Sequence, residues 1–92
     1  MPAPPPNLPK RRADLFCREL GSEAVVFDPK TNTTHALNAS SRLIWNQCDG
    51  TRTAADMARV LCQRFDVSPA QAERDVLAIL AKFHEQGLFD ST

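Results

Sequence analysis

Short apolar runs alternate with turn residues over the first third of the chain. Ala24–Phe27 is rich in β-branched and aromatic residues, which favours a strand, and Leu15–Leu20 and Thr33–Leu37 are interpreted as the strands before and after it. Asp28–Asn32 is typical of a tight turn, because Pro29 presets φ and the Asp and Asn side chains bond their own backbone. A connection this short predicts that the second and third strands form an antiparallel hairpin.

Beyond residue 37 the period of the apolar residues changes from two to about 3.6, which predicts helices. Asn38 is a suitable N-cap for the first helix, and Asp49 and Gly50 are expected to close it, with Gly50 at the left-handed C′ position. Thr53 is expected to cap the second helix, because Asp56 follows three residues later in the manner of a capping box.

The third helix has the clearest start signal in the chain. Ser68 is a suitable N-cap, Pro69 stands at the first helical position, and Gln71 stands at the third. Gly87 is expected to end it. The apolar stripes of the three helices are Leu43, Ile44, Trp45 and Cys48; Met57, Ala58, Leu61, Cys62 and Phe65; and Ala72, Val76, Ile79, Leu80 and Phe83.

This order of elements predicts an α+β domain, winged-helix-like, in which a three-stranded antiparallel sheet is followed by three helices packed on one of its faces. Five of the seven prolines lie in residues 1–9, and Lys10, Arg11 and Arg12 follow as a basic cluster that is interpreted as a solvated linker. The sequence therefore predicts a Pro-rich, basic, flexible arm over residues 1–12 and one folded domain over residues 13–92.

Composition limits the classes of function. The chain has 92 residues, enough for one modest core, and 11 basic residues balance 11 acidic ones. That balance disfavours a dedicated nucleic-acid binder, which usually has a basic excess. No apolar run approaches the ~20 residues of a membrane span, and the Pro-rich start is unlike a signal peptide, so a cytoplasmic location is expected.

The residues that carry chemistry do not form a recognisable catalytic pattern. Cys17, Cys48 and Cys62 are an odd number of cysteines without a CxxC spacing, and His35 and His84 stand far apart in sequence. That spacing fits neither a zinc site nor a disulfide framework. We therefore expect reduced thiols, with Cys48 and Cys62 in the core, and no catalytic residue, metal or cofactor; a thiol-dependent enzyme remains an alternative.

A binding role is the leading interpretation for a domain of this size. One edge of a three-stranded sheet must be open, and an open edge can accept a peptide as an added strand. The third helix would then form the other wall of a groove, although its apolar stripe also has the ordinary interpretation of core. The alternative is a winged-helix transcriptional regulator, against which the net negative charge of the third helix argues.

The sequence also resembles the PqqD family. The residues that carry the resemblance are Val26 to Pro29, His35 to Asn38, Ile44 and Trp45, Cys48 to Gly50, Thr53 to Asp56, Arg64 to Val67, Asp75 to Leu77, and Gly87 and Leu88. The likeness covers roughly residues 13–90, and the order and spacing of the pieces make it specific.

The resemblance implies a RiPP recognition element, which is a domain that binds the leader of a ribosomally made precursor peptide. It implies a non-catalytic chaperone that presents this leader to a maturation enzyme, often a radical SAM protein. From the balanced charge and the absence of a long apolar run we expect no nucleic-acid or membrane partner, and we expect a monomer or a weak dimer. In the family the leader adds beside the third strand, in a groove closed by the third helix. Carried over by position, the peptide-binding residues are Thr33, Thr34, His35, Ala36 and Leu37 on the strand, and Asp75, Val76, Ile79, Leu80 and Phe83 on the helix.

Overall fold

The computed structural model describes residues 8–90 of the chain. The strands are β1 (Phe16–Leu20), β2 (Glu23–Asp28) and β3 (Thr33–Leu37). The helices are α1 (Ala39–Asn46), α2 (Ala54–Arg64) and α3 (Pro69–Glu85). The strand order is β1-β2-β3 and both pairings are antiparallel, so the predicted α+β arrangement is confirmed.

The sheet has one face against the helices and one face toward solvent. On β2 the buried residues are Ala24, Val26 and Asp28, which alternate with half-buried Val25 and Phe27, as a period of two requires. The register pairs Val26 with His35 of β3 and with Cys17 of β1. The side chains of His35 and Cys17 therefore lie with Val26 on the helix-facing side of the sheet. The opposite face carries exposed Phe16 and Leu20.

The helices begin where side chains satisfy free backbone N–H groups. Asn38 accepts a hydrogen bond from Ser41 N, and Ser68 accepts one from Gln71 N. Thr53 and Asp56 form the predicted capping box, in which each side chain accepts a bond from the other residue's backbone. The three predicted N-caps are therefore confirmed.

The ends of α1 and α3 differ in how well the sequence predicted them. At the end of α3 Gly87 has a φ of +70° and its N–H bonds the carbonyl of His84, while Leu88 N bonds the carbonyl of Phe83, which is a Schellman motif. The prediction for α1 is wrong, because this helix stops at Asn46 with Gln47 as its C-cap. Gly50, at a φ of +85°, lies beyond the helix and donates its N–H to Pro9 O at 3.0 Å.

The core lies between the sheet and the helices and extends past the end of α3. Trp45 and Phe83 pack edge to face with ring centroids 5.2 Å apart, and Phe83 packs in the same way against Phe89 at 6.1 Å. Leu88 is fully buried, so the chain folds back onto the core after Gly87. Leu61 of α2 belongs to the same core cluster.

Residues 9–12 are part of this packed structure. Pro9 is fully buried, Arg11 N bonds Cys48 O at 2.9 Å, and Arg12 N bonds Leu88 O at 3.0 Å. The segment therefore runs between the loop after α1 and the C-terminal residues, and joins the two. The predicted solvated linker at residues 10–12 is wrong for this reason, whereas the first seven residues of the predicted arm lie outside the described residues.

Arg12 anchors this segment to the sheet through an ion pair. Its guanidinium donates to both carboxylate oxygens of Asp28, at 2.9 and 3.0 Å, and also to Gly87 O at 2.8 Å. Asp28 is buried and accepts a further bond from Lys30 N. The hydrogen bonds from Arg12 lower the pKa of Asp28 to about 2, against its usual 3.8, and outweigh the opposing effect of burial.

This ion pair predicts loss of stability in acid. Because the pKa of Asp28 is lower in the folded state than in the unfolded state, the unfolded chain binds more protons between pH values of about 4 and about 2. The free energy of unfolding should therefore fall as pH decreases through that window. Urea unfolding at several pH values measures this, and D28N should be less stable at neutral pH and show a flatter acid dependence. The matched control D66N, at an exposed position, should show the same decrease of the free energy of unfolding with falling pH as the wild type. If D28N also showed that decrease unchanged, the role given to Asp28 would be contradicted.

Candidate functional site

The open edge of β3 is the starting point for a peptide site. Both β1 and β3 are edge strands, since β2 lies between them. Within residues 8–90, the isolated bridges join Lys10 to Asp49 and Arg11 to Phe89, so β3 has β2 as its single strand neighbour. Its outer backbone groups are therefore available to a further strand.

The side chains of β3 divide between the two faces of the sheet. Thr33, Thr34 and Ala36 are exposed, His35 is half-buried, and Leu37 is buried in the core. His35 Nε2 lies 3.3 Å from Thr33 Oγ1, and both side chains lie on the helix-facing side of the strand. The structure thus brings four of the five predicted strand residues to an accessible surface.

Helix α3 stands apart from this strand. No Cα atom of α3 lies within 8 Å of a Cα atom of β3 in the described chain, whereas α1 contacts both β2 and β3. The backbone of α3 therefore leaves the edge of β3 uncovered. An added strand would lie about 4.8 Å from β3 in the plane of the sheet.

The predicted residues of α3 have two different environments. Val76, Leu80 and Phe83 are at most 2% exposed and belong to the core, so they are not available for direct contact in this conformation. Asp75 and Ile79 are half-buried at the side of that core stripe. The ordinary interpretation of the stripe as core thus holds for three residues, and of the predicted groove wall Asp75 and Ile79 remain partly accessible.

Leu77 is exposed but lies on another side of the helix. At 100° per residue it is about 160° from both Asp75 and Ile79. Its side chain is 48% exposed, so it is an apolar surface residue away from the groove wall. The centre of the buried stripe depends on how α2 packs against α3, which the apolar period alone does not determine.

A cleft connects Asp75 to the end of β3. It has a volume of about 410 Å³ and contains Glu23 at the start of β2 and Asn38 directly after β3. Its remaining lining residues are Ala39, Ser40, Leu61, Phe65 and Val67. Asp75 accepts a hydrogen bond from Gln71 Nε2 at 2.7 Å. Two carboxylates and an apolar floor give this cleft a preference for hydrogen-bond donors beside an apolar side chain. Glu23, Asn38 and Phe65 were not among the predicted site residues.

The three cysteines of the described residues are free and lie in three different environments. Cys48 is buried, its thiol donates to Ile44 O at 3.3 Å, and burial raises its pKa to about 12. Cys62 is half-buried against the core and Cys17 is exposed on β1. Residues 8–90 contain no group of three or more His, Cys, Asp or Glu side chains that could hold a metal ion. The described helices also include none that is long and apolar enough to span a membrane.

Comparison with known proteins identifies the family. The family model described as "Coenzyme PQQ synthesis protein D (PqqD)" matches residues 23–88, from the first residue of β2 to the buried Leu88 beyond α3. The chain belongs to the PqqD family. The match covers β2, β3 and all three helices, and so includes both sides of the predicted groove. No curated protein matches this PqqD-family chain.

Solved structures share the fold of this PqqD-family domain. TbiB1, solved in complex with the TbiA(beta) leader peptide, is 19% identical, with a TM-score of 0.80 over 90% of this chain and 96% of that one. Lasso peptide synthetase B1, complexed with its leader peptide, is 23% identical, with a TM-score of 0.79 over 90% and 98%. The PqqD truncation of Methylobacterium extorquens PqqCD, described as a functional, stand-alone RiPP recognition element, is 24% identical, with a TM-score of 0.72 over 89% and 87%.

Proposed function

We propose that this PqqD-family domain is a non-catalytic chaperone that binds the leader of a ribosomally made precursor peptide. The observation that carries the proposal is the uncovered edge of β3, next to a cleft that Asp75 of α3 shares with the residue following β3. Main-chain hydrogen bonds along β3 would supply affinity, and side-chain pockets beside it would supply selectivity. Membership of the PqqD family and the leader complexes of two proteins with the same fold support it.

The contact residues that we propose follow from exposure. On β3 they are Thr33, Thr34, His35 and Ala36, while buried Leu37 closes the end of the strand. On α3 they are Asp75 and Ile79. The bound leader would be presented to a maturation enzyme, and a radical SAM protein is the partner that the family resemblance favours. The chaperone would act in the cytoplasm, where precursor peptides are made.

A calorimetric titration tests the proposal. The full chain is titrated with the leader peptide encoded beside its gene, and saturable one-to-one binding is expected. A scrambled peptide of the same composition is the control. Leader recognition would be refuted if none of the precursors encoded in that neighbourhood bound, or if the scrambled peptide bound equally well. Salt-sensitive, sequence-selective binding of promoter DNA would instead favour the winged-helix regulator.

A further inference from the structure

A second cleft lies beside the first, on the other side of Ala39 and Phe65, which line both. It has a volume of about 490 Å³, within the usual range for a ligand site. Three arginines line it, Arg42 from α1, Arg52 from the loop before α2, and Arg64 from the end of α2. The remaining lining residues are Ser22, Leu43, Asn46, Gln47 and Val60, so no carboxylate is among them. We call it the arginine cleft.

The three arginines differ in how far their charge is already compensated. Arg42 forms an ion pair with Glu19 at 2.8 Å and donates to Gly21 O. Arg52 lies near enough to Asp49 and Asp56 to lower the pKa of each carboxyl, but it makes no ion pair or hydrogen bond within residues 8–90. Arg64 likewise has no ion-pair partner there. Among the residues that line the arginine cleft there are thus three positive charges and no negative one, and Arg64 is the arginine whose charge is least compensated.

A buried amide in the same cleft lacks one of its partners. Gln47 is 4% exposed, and its Nε2 donates to Leu43 O at 3.1 Å. Its Oε1 is buried and accepts no hydrogen bond from the described residues. A buried acceptor without a donor is costly. Because Gln47 lines the arginine cleft, a rotation of its side chain would turn this oxygen toward a ligand that carries an N–H donor as well as a negative charge.

We propose that the arginine cleft binds a carboxylate side chain of the leader peptide, in the segment that continues past the Leu37 end of β3. This proposal rests on the proposed function. The first cleft begins at Asn38, directly after β3, and the two clefts share Ala39 and Phe65. An extended peptide that leaves β3 through the first cleft would therefore continue toward the arginines across these shared residues.

The chemistry of the cleft favours a peptide over a nucleic-acid backbone. A peptide offers a carboxylate to Arg52 and Arg64 and a main-chain N–H to Gln47 Oε1. A phosphodiester offers acceptors alone and would leave the Gln47 oxygen without a donor. The leader would thus be held at two places, by strand pairing along β3 and by ion pairs between its carboxylate and the arginines of the cleft.

Nuclear magnetic resonance titration of the full ¹⁵N-labelled chain tests the cleft. The probes are acetyl-Gly-Glu-Gly-amide, its glutamine counterpart and inorganic phosphate. The glutamate peptide is expected to shift the amide signals of Gln47 and Arg64 saturably, and the glutamine peptide is not. R64Q should weaken the glutamate peptide roughly two- to fivefold, as expected for one exposed charge pair. R18Q, at an exposed position on β1 outside both clefts, is the matched control and should bind like the wild type.

Each other result overturns the inference. Equal shifts from the glutamine peptide would show that charge is not recognised, and tighter binding of phosphate would assign the cleft to a different anion. Calorimetry with the leader separates this inference from the proposed function. Leader affinity that is lower for R64Q and unchanged for R18Q supports it. Equal affinity for the wild type and R64Q overturns the inference alone, whereas no leader binding by the wild type overturns the proposed function as well.

Discussion

Replacing Ile79 with aspartate is expected to weaken leader binding at least about tenfold, the equivalent of about 1.4 kcal/mol. Ile79 is the apolar residue of α3 that is half-buried on the same side of the helix as Asp75, which lines the cleft at the end of β3. An aspartate there would place a second charge beside Asp75 and remove apolar surface that the peptide would cover. Titration calorimetry with the leader peptide measures the loss.

L77D is the matched control for this prediction. The same substitution is made in the same helix, but about 160° around it from Ile79 and on a side chain that is 48% exposed. L77D should bind the leader like the wild type. Circular dichroism must show that both variants fold, and I79A, with a smaller loss of affinity, provides a second test if I79D unfolds. Equal effects of I79D and L77D would contradict the assignment of the groove wall.

Replacing Leu80 with alanine is expected to lower the free energy of unfolding by about 2–5 kcal/mol. Leu80 is 1% exposed and packs in the core beside Val76 and Phe83. A domain of this size has a total stability of about 5–15 kcal/mol, so the loss is a large fraction of it. Urea unfolding measures it, and L77A is the control because its side chain is largely outside the core.

The comparison of stability with binding separates the two roles of α3. At protein concentrations and temperatures where L80A is still folded, it should bind the leader with near wild-type affinity. I79A should show the reverse, with a larger effect on binding than L80A and a smaller one on stability. If L80A lost affinity for the leader while fully folded, Leu80 would contribute to the peptide site and would not be a core residue alone.

The strands and helices were largely predictable, because turns and helix caps are determined by residues a few positions apart in the sequence. The bounds of β3 coincide with the prediction, since the turn before it and Asn38 after it are both encoded within a few residues. The capping box of Thr53 and Asp56 and the Schellman end at Gly87 were predictable for the same reason. Gly50 was misassigned, because α1 already ends at Asn46 and Gly50 instead donates its N–H to Pro9, about 40 residues away along the chain.

The site was less predictable because it depends on packing between distant segments. Periodicity placed Val76, Ile79 and Leu80 on one stripe, but only the positions of α1 and α2 decide which of them stays accessible. Residues 10–12 join the fold through backbone bonds and the Arg12–Asp28 pair, neither of which a count of charges reveals. Arg52 and Arg64 likewise meet at one cleft only after α2 has packed against α1.

Hydrogen exchange of the leader-bound domain tests the central claim most directly, because β1 and β3 are both edge strands and the claim concerns β3 alone. Amide exchange is measured by nuclear magnetic resonance on the full chain, with and without saturating leader peptide. The outward-facing amides within residues 33–37 are expected to become protected, while those within residues 16–20 of β1 should exchange as before. Protection of β1 instead of β3, or leader binding that protects neither edge, would contradict strand addition at β3.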